Sequence, residues 1–123
     1  MKLDVYTEAE HRAMVDGWYA KAGLKWLGPG SPNGWCATGV AAGWLYTTDG
    51  NFVFLEDVVT NPEANSYSRN LALEYMFAAA CEKAKELGKT RILALISHDG
   101  LQSRMASLGF KPMGIHMLLE KTL

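Results

Sequence analysis

The segment 52–73 constrains this chain more than any other. Phe52-Val-Phe-Leu-Glu-Asp-Val-Val-Thr60 is apolar at every second position and its neighbour, broken only by Glu56 and Asp57. That is the pattern of a central strand covered on both faces. Asn61-Pro62 ends it, because proline lacks the N–H a ladder needs. A polar loop follows, and then a long helix from about Asn70 to Leu87. Ala72, Tyr75, Met76, Ala79, Ala80, Lys83 and Ala84 recur on its successive turns, and Gly88 supplies the stop. A strand feeding a long helix through small polar residues aims several backbone N–H groups at one place. The positive end of the helix dipole lies there too. Phosphate is the usual occupant, so the expectation is a phosphorylated cofactor held between this strand and this helix.

The rest of the chain frames that unit. Residues 2–6 alternate weakly and read as a short first strand. Thr7-Glu8-Ala9-Glu10 is a capping box in which Glu10 reaches back. Met14, Val15, Trp18, Tyr19 and Ala22 follow at helical spacing, so a helix runs to about Lys21 and ends near Gly23. Residues 24–27 continue as a second helical piece or a packed turn. Residues 28–34, Gly-Pro-Gly-Ser-Pro-Asn-Gly, exclude regular structure and form the main loop. Flanked by Trp26 and Trp35, this loop is either a plain connector with two packed indoles or a wall of an acceptor site.

Residues 35–46 read as one or two strands with bulges at Gly39 and Gly43. Asp49-Gly50 signals a hairpin that returns the chain into residues 52–60. After the long helix, residues 91–96 form a buried strand placed as a parallel partner. Asp99 caps a short helix through Leu108, closed by Gly109. An extended stretch, residues 110–119, is interrupted by Pro112 and Gly114. This order predicts one α/β (α+β) domain with a mixed sheet.

Composition removes several functions. A net charge of -1 leaves no basic excess for nucleic-acid binding. No apolar run approaches the ~20 residues that span a bilayer, so no membrane role is expected. The two cysteines, Cys36 and Cys81, lack metal-type spacing and read as reduced, buried thiols of a cytoplasmic protein. No metal site is expected.

Three fragments together resemble the GNAT superfamily of acyl-CoA-dependent N-acyltransferases. The first is Val58-Val59-Thr60-Asn61-Pro62-Glu63, similar to the strand that ends before the family's cofactor loop. The second is the helix end Ala84-Lys85-Glu86-Leu87-Gly88-Lys89 followed by a buried strand. The third is Ser107-Leu108-Gly109-Phe110, which matches the family's Leu-Gly-Phe signature. The resemblance implies a mostly antiparallel central sheet flanked by helices, with acetyl-CoA as cofactor. It implies that the backbone of Val58, Val59 and Thr60 meets the pantetheine arm. The family's pyrophosphate loop falls on Asn65, Ser68 and Asn70, none of which matches its usual Arg or Gln and glycines. Ser66, Ser68 and Asn70 supply donors in place of glycine backbone, and Arg69 supplies the charge. The same residues also read as helix caps without a ligand.

Catalysis needs a base for the amine and an acid for the departing thiolate. The candidate bases are Glu56 and Asp57, expected to point to opposite faces by the two-residue pleat. The resemblance places the family's tyrosine acid at Met105, whose thioether cannot donate a proton, and its asparagine at His98. His98 and His116 read as capping and structural residues; Tyr67 could stack on a nucleotide. The expected activity is therefore acetyl transfer to a small-molecule or peptide amine. The alternatives are a CoA-binding domain without turnover and a structural or assembly domain with Trp26 and Trp35 at an interface. A homodimer through the final strands is implied by the resemblance.

Overall fold

The computed structural model describes residues 1–94, 99–114 and 119–123. In chain order the elements are β1 (Asp4–Val5), α1 (Glu8–Lys21), β2 (Asn33–Ala37), β3 (Ala41–Thr47) and β4 (Phe52–Thr60). There follow α2 (Ser66–Glu86), β5 (Arg91–Leu93) and α3 (Asp99–Ser107). The strands form one sheet in the order β1-β2-β3-β4-β5. Pairing is antiparallel from β1 to β4 and parallel between β4 and β5. An α/β (α+β) fold with a mixed, mostly antiparallel central sheet is thus observed, as the residues and the resemblance imply.

Each face of the sheet carries its own apolar cluster. Alternation sends Leu45, Val53 and Leu55 to one side, where they pack with Leu73, Met76 and Phe77 of α2. Cys36, Ala42, Trp44 and Val59 face the other side and meet Val15, Trp18 and Tyr19 of α1. Burial of Cys36 pushes its thiol up to about 11, which leaves it inert as a nucleophile at neutral pH.

Local chemistry sets the helix ends. Thr7 Oγ1 accepts from the Glu10 N–H at 3.3 Å, the first half of a capping box. Its second half is made by a residue the pattern did not suggest. The Thr7 N–H donates to Nδ1 of the buried His11 at 2.9 Å. At the end of α2 the Gly88 and Lys89 N–H groups return to Lys85 and Ala84, both at 2.9 Å, a Schellman closure with Gly88 at φ 73°. Lys89 Nζ then donates to the carbonyls of Thr48 and Gly50, each at 2.6 Å, tying the β3–β4 hairpin to the helix end.

Several boundaries differ from the sequence reading. Helix α2 begins at Ser66 rather than near Asn70, because Asn65 caps it: Asn65 Oδ1 accepts from the Ser68 N–H at 2.8 Å. Residues 35–46 split into two strands around a turn holding Gly39 at φ 81°, with no bulge there. Residues 110–114 follow α3 without regular structure. Of the strand expected over 91–96, Ala94 is not in a strand and residues 95–96 lie outside the described residues, as do His98 and His116.

Candidate functional site

One irregularity in the sheet organises the site. Ala42 pairs with Val59, yet Trp44, two residues on, pairs with Glu56, three residues back. The extra residue makes a bulge in β4 opposite Gly43, and Asp57 adopts φ 58° there. The sequence placed this bulge at Gly43 on β3; it sits on the partner strand. Gly43 accommodates it, since a Cβ at that position would come 2.5 Å from Met76 Sδ and 3.2 Å from Val58 Cγ2.

The bulge corrects one expectation directly. Glu56 and Asp57 do not point to opposite faces. Glu56 pairs with Trp44, which belongs to the α1-side cluster. Asp57 accepts a hydrogen bond from Tyr46 Oη, and Tyr46 packs against that same cluster. The extra residue breaks the two-residue period, so both carboxyl groups come to the α1 side.

Tyrosines hold the bulge in place, which sequence reasoning missed. Tyr19 Oη on α1 donates to the Asp57 carbonyl at 2.5 Å. Tyr46 Oη also accepts from the Gly30 N–H at 3.1 Å, while Ser31 Oγ donates to the Leu45 carbonyl at 2.5 Å. The loop 28–34 is thereby laid against β3. Trp26 stacks on Tyr19 with ring centroids 4.7 Å apart, and the Arg12 guanidinium lies 4.9 Å from the Trp26 centroid. Trp26 and Trp35 are both half-buried against the two clusters, so neither is the exposed interface aromatic envisaged above. Burial, followed by the bond to Asp57, raises the Tyr46 phenol to about 12; burial raises Tyr19 further. The signal that could have found this cluster was the spacing of Tyr19 and Trp18 on the buried stripe of α1.

Beyond the bulge, Val58 leans on the α2-side cluster and Val59 on the α1-side cluster. Val59 and Thr60 pair with Ala42 and Ala41 of β3. On the other side of β4, described pairing with β5 runs only from Phe52↔Arg91 to Phe54↔Leu93. Among the described residues, β4 from Leu55 to Thr60 has no strand on that side.

The strand then turns into α2. Asn61 Oδ1 accepts from the Glu63 N–H at 2.9 Å, and its Nδ2 donates to the Gly39 carbonyl at 2.9 Å. Asn65, Ser66, Ser68, Arg69 and Asn70 therefore occupy the cap and first turn of α2, not a separate loop. Asn65 satisfies the Ser68 N–H, and the amides of Ser66 and Tyr67 have no partner among the described residues. Arg69 folds back over the same turn, its Nη2 3.5 Å from Ser66 Oγ, and its buried Nε has no partner. An orphaned cationic N–H beside two open amides at a helix start fits a diphosphate. Tyr67 is 76% exposed.

Other features lie elsewhere. A cleft of about 430 Å³ opens at the opposite end of α2, between Lys85, Lys89, Ile92 and Phe110. It is roughly 30 Å along the helix from Asn65 at 1.5 Å per residue. Met105 is 3% exposed and packed in the α2-side cluster, away from the carboxylates. Among the described residues no group of three His, Cys, Asp or Glu side chains could hold a metal, and no helix is long and apolar enough to cross a membrane.

No family model and no curated protein matches this chain. Solved structures do. A protein of Agrobacterium tumefaciens described as a candidate acetyltransferase superposes with a TM-score of 0.70 at 12% identity, covering 98% of this chain and all of the other. An acetyltransferase of Trypanosoma brucei gives 0.65 at 16% identity, covering 98% and 99%. An aminoglycoside N-acetyltransferase solved with CoA gives 0.60 at 14% identity, covering 99% and 100%. At such identities the likeness establishes the fold: this chain has the GNAT-like architecture over its whole length.

Proposed function

We propose that this chain is an N-acetyltransferase that takes its acyl group from acetyl-CoA and passes it to a small-molecule or peptide amine. One observation carries the reading. Among the described residues, the amides of Ser66 and Tyr67 and the buried Arg69 Nε are without partners at the start of α2, directly after a strand with no described neighbour on one side from Leu55 onward. When bound, the cofactor supplies an acetyl thioester. Ser66, Ser68 and Arg69 would hold its diphosphate, with Asn65 and Asn70 flanking, and the backbone of Val58, Val59 and Thr60 would hold its arm.

The bulge then serves two purposes in this reading. It takes Asp57 and Val58 out of the β3 ladder locally, and it brings Glu56 and Asp57 to one side. Either carboxylate can accept a proton from an ammonium acceptor, directly or through one water. The Tyr46 hydroxyl already donates its proton to Asp57, and burial with that bond raises the phenol to about 12, so both oppose its use as the acid for the departing thiolate. Tyr46 and Tyr19 position the bulge instead.

A second reading is CoA binding without turnover, which the burial of Met105 in the core favours because α3 then offers no acid at that position. In both readings the free cysteines suit a reducing cytoplasm, and pairing through the final strands would give a homodimer. Calorimetric titration with acetyl-CoA, followed by thiol release across an amine panel, separates the cases. Binding with turnover supports the transferase. Binding alone supports the sensor, and no binding at millimolar acetyl-CoA ends both.

A further inference from the structure

The face of the sheet beside the bulge has a directional character that the donor site does not account for. Trp44↔Glu56, Tyr46↔Phe54↔Leu93 and Phe52↔Arg91 are register rows, so all these side chains share the α1 side. Helix α1 covers only the inner part of that side, where Trp44 is fully buried. Phe52, Phe54 and Glu56 remain half-buried on a shelf that no helix covers among the described residues, with the two phenyl rings edge to face at 5.5 Å. The loop 28–34 bounds the shelf at Tyr46: the Gly30 N–H meets its hydroxyl at 3.1 Å, and a Cβ on Gly30 would touch the ring at 3.0 Å.

Charge runs along this shelf in one direction. Its inner end carries the carboxylates of Glu56 and Asp57. Its outer end carries Arg91, opposite Phe52 in register, whose guanidinium reaches towards Met113 Sδ at 3.7 Å. The two ends are about 13 Å apart, four residues of strand at ~3.3 Å each. Between them lie aromatic rings, which reward an apolar body and offer no hydrogen bonds to hydroxyls.

We infer that the acceptor is a primary amine carried on a flat apolar body, seated with its ammonium at Glu56 and Asp57 and its body across Phe54 and Phe52. This inference rests on the acetyltransferase reading and adds the substrate class to it. A polyamine fits poorly, since its far ammonium would be driven towards the cationic Arg91. A polyhydroxylated amine fits poorly too, because its hydroxyls would lose water to bare ring faces.

The test measures binding first, by calorimetry, for 2-phenylethylamine and spermidine on the CoA-saturated protein. Phenylethylamine is expected to bind at least tenfold more tightly than spermidine. Phe54→Lys is expected to weaken phenylethylamine at least tenfold, Phe54→Tyr to retain it, and both to leave acetyl-CoA affinity unchanged. Unchanged acetyl-CoA affinity also certifies that each variant is folded. Arg91→Glu is expected to close the gap for spermidine. Equal or tighter spermidine binding, or a Phe54→Lys variant that binds phenylethylamine normally, overturns the inference. Binding of acetyl-CoA without any amine binding overturns it while sparing the donor site. Amine binding without acetyl-CoA binding does the reverse.

Discussion

The Tyr46 hydroxyl donates to the Asp57 carboxylate across the β3–β4 ladder, and Asp57 is the residue at φ 58° that makes the bulge. A strand residue in the left-handed region survives only where its surroundings over-determine it. Here Tyr46 fixes the side chain and Tyr19 fixes the carbonyl. The sharpest expectations for this molecule concern that arrangement and the helix start it leads into.

Removing either hydroxyl should be felt. Tyr46→Phe leaves a carboxylate short of a donor and the Gly30 N–H short of an acceptor, so about 1–3 kcal/mol of stability should be lost. Tyr19→Phe should cost about 1 kcal/mol, since it strips one donor from a carbonyl. Urea unfolding of the two variants should rank them in that order.

Alkaline pH should loosen the fold through the same phenol. Tyr46 titrates near 10 when unfolded and about 12 when folded. Between those values the unfolded chain binds fewer protons, so stability falls as pH rises. Its contribution is complete below pH 10 and gone above about 12. Cys36 adds a similar loss between 9 and about 11. Thermal melts from pH 8 to 11 should fall progressively, and Tyr46→Phe should flatten the upper part of the curve.

Two glycines should differ in how badly they tolerate alanine. A Cβ on Gly34 would lie 2.2 Å from Nε1 of the fully buried Trp44, a rigid indole with nowhere to go. At Gly43 the obstacle is chiefly the thioether of Met76, which can rotate. Gly34→Ala should cost more than about 3 kcal/mol and Gly43→Ala about 1–3 kcal/mol. Equal losses in chemical denaturation would count against this packing.

The α2 cap separates folding from ligand binding. Asn65→Ala should cost about 1 kcal/mol through loss of the bond to the Ser68 N–H. Asn65→Asp keeps a capping acceptor and suits the helix dipole, so stability should hold. The added negative charge should nevertheless weaken acetyl-CoA at least tenfold by calorimetry. Weakening by Asp alone identifies an anion site; equal affinity in all three proteins argues for a cap and nothing more.

Arg69 should behave as a ligand group rather than a structural one. Among the described residues its Nε has no hydrogen-bond partner to lose, and the hydrogen bond from its Nη2 to Ser66 Oγ is long at 3.5 Å. Arg69→Gln should leave the melting temperature within a degree or two and weaken acetyl-CoA at least tenfold, more so at low salt.

Much of this architecture was legible because its signals were local. The Thr7 cap, the Asp49-Gly50 hairpin, the glycine at 88 and the apolar run of β4 each declare an element without reference to the rest. What was not legible depends on two strands at once. A bulge is a mismatch between partners, so Gly43 could announce it while Asp57 carried it. The early start of α2 was missed because serine, tyrosine and asparagine are weak helix formers, and a single cap from Asn65 outweighs them. The Tyr19–Asp57–Tyr46 contact spans separations of 38 and 11 residues, which no window on one chain segment reveals.

The sheet order β1-β2-β3-β4-β5 repeats the order in which the strands are synthesised. Each new strand therefore finds its neighbour already made, and the steps from β1 to β2 and from β4 to β5 must wait for an intervening helix. Nearest-neighbour assembly of this kind keeps loop-closure entropy low and raw edges short-lived. The bulge and its two tyrosines are complete once residue 60 has emerged, before any of α2 exists. Amine-side geometry can thus be laid down on the nascent chain ahead of the helix that would grip the diphosphate.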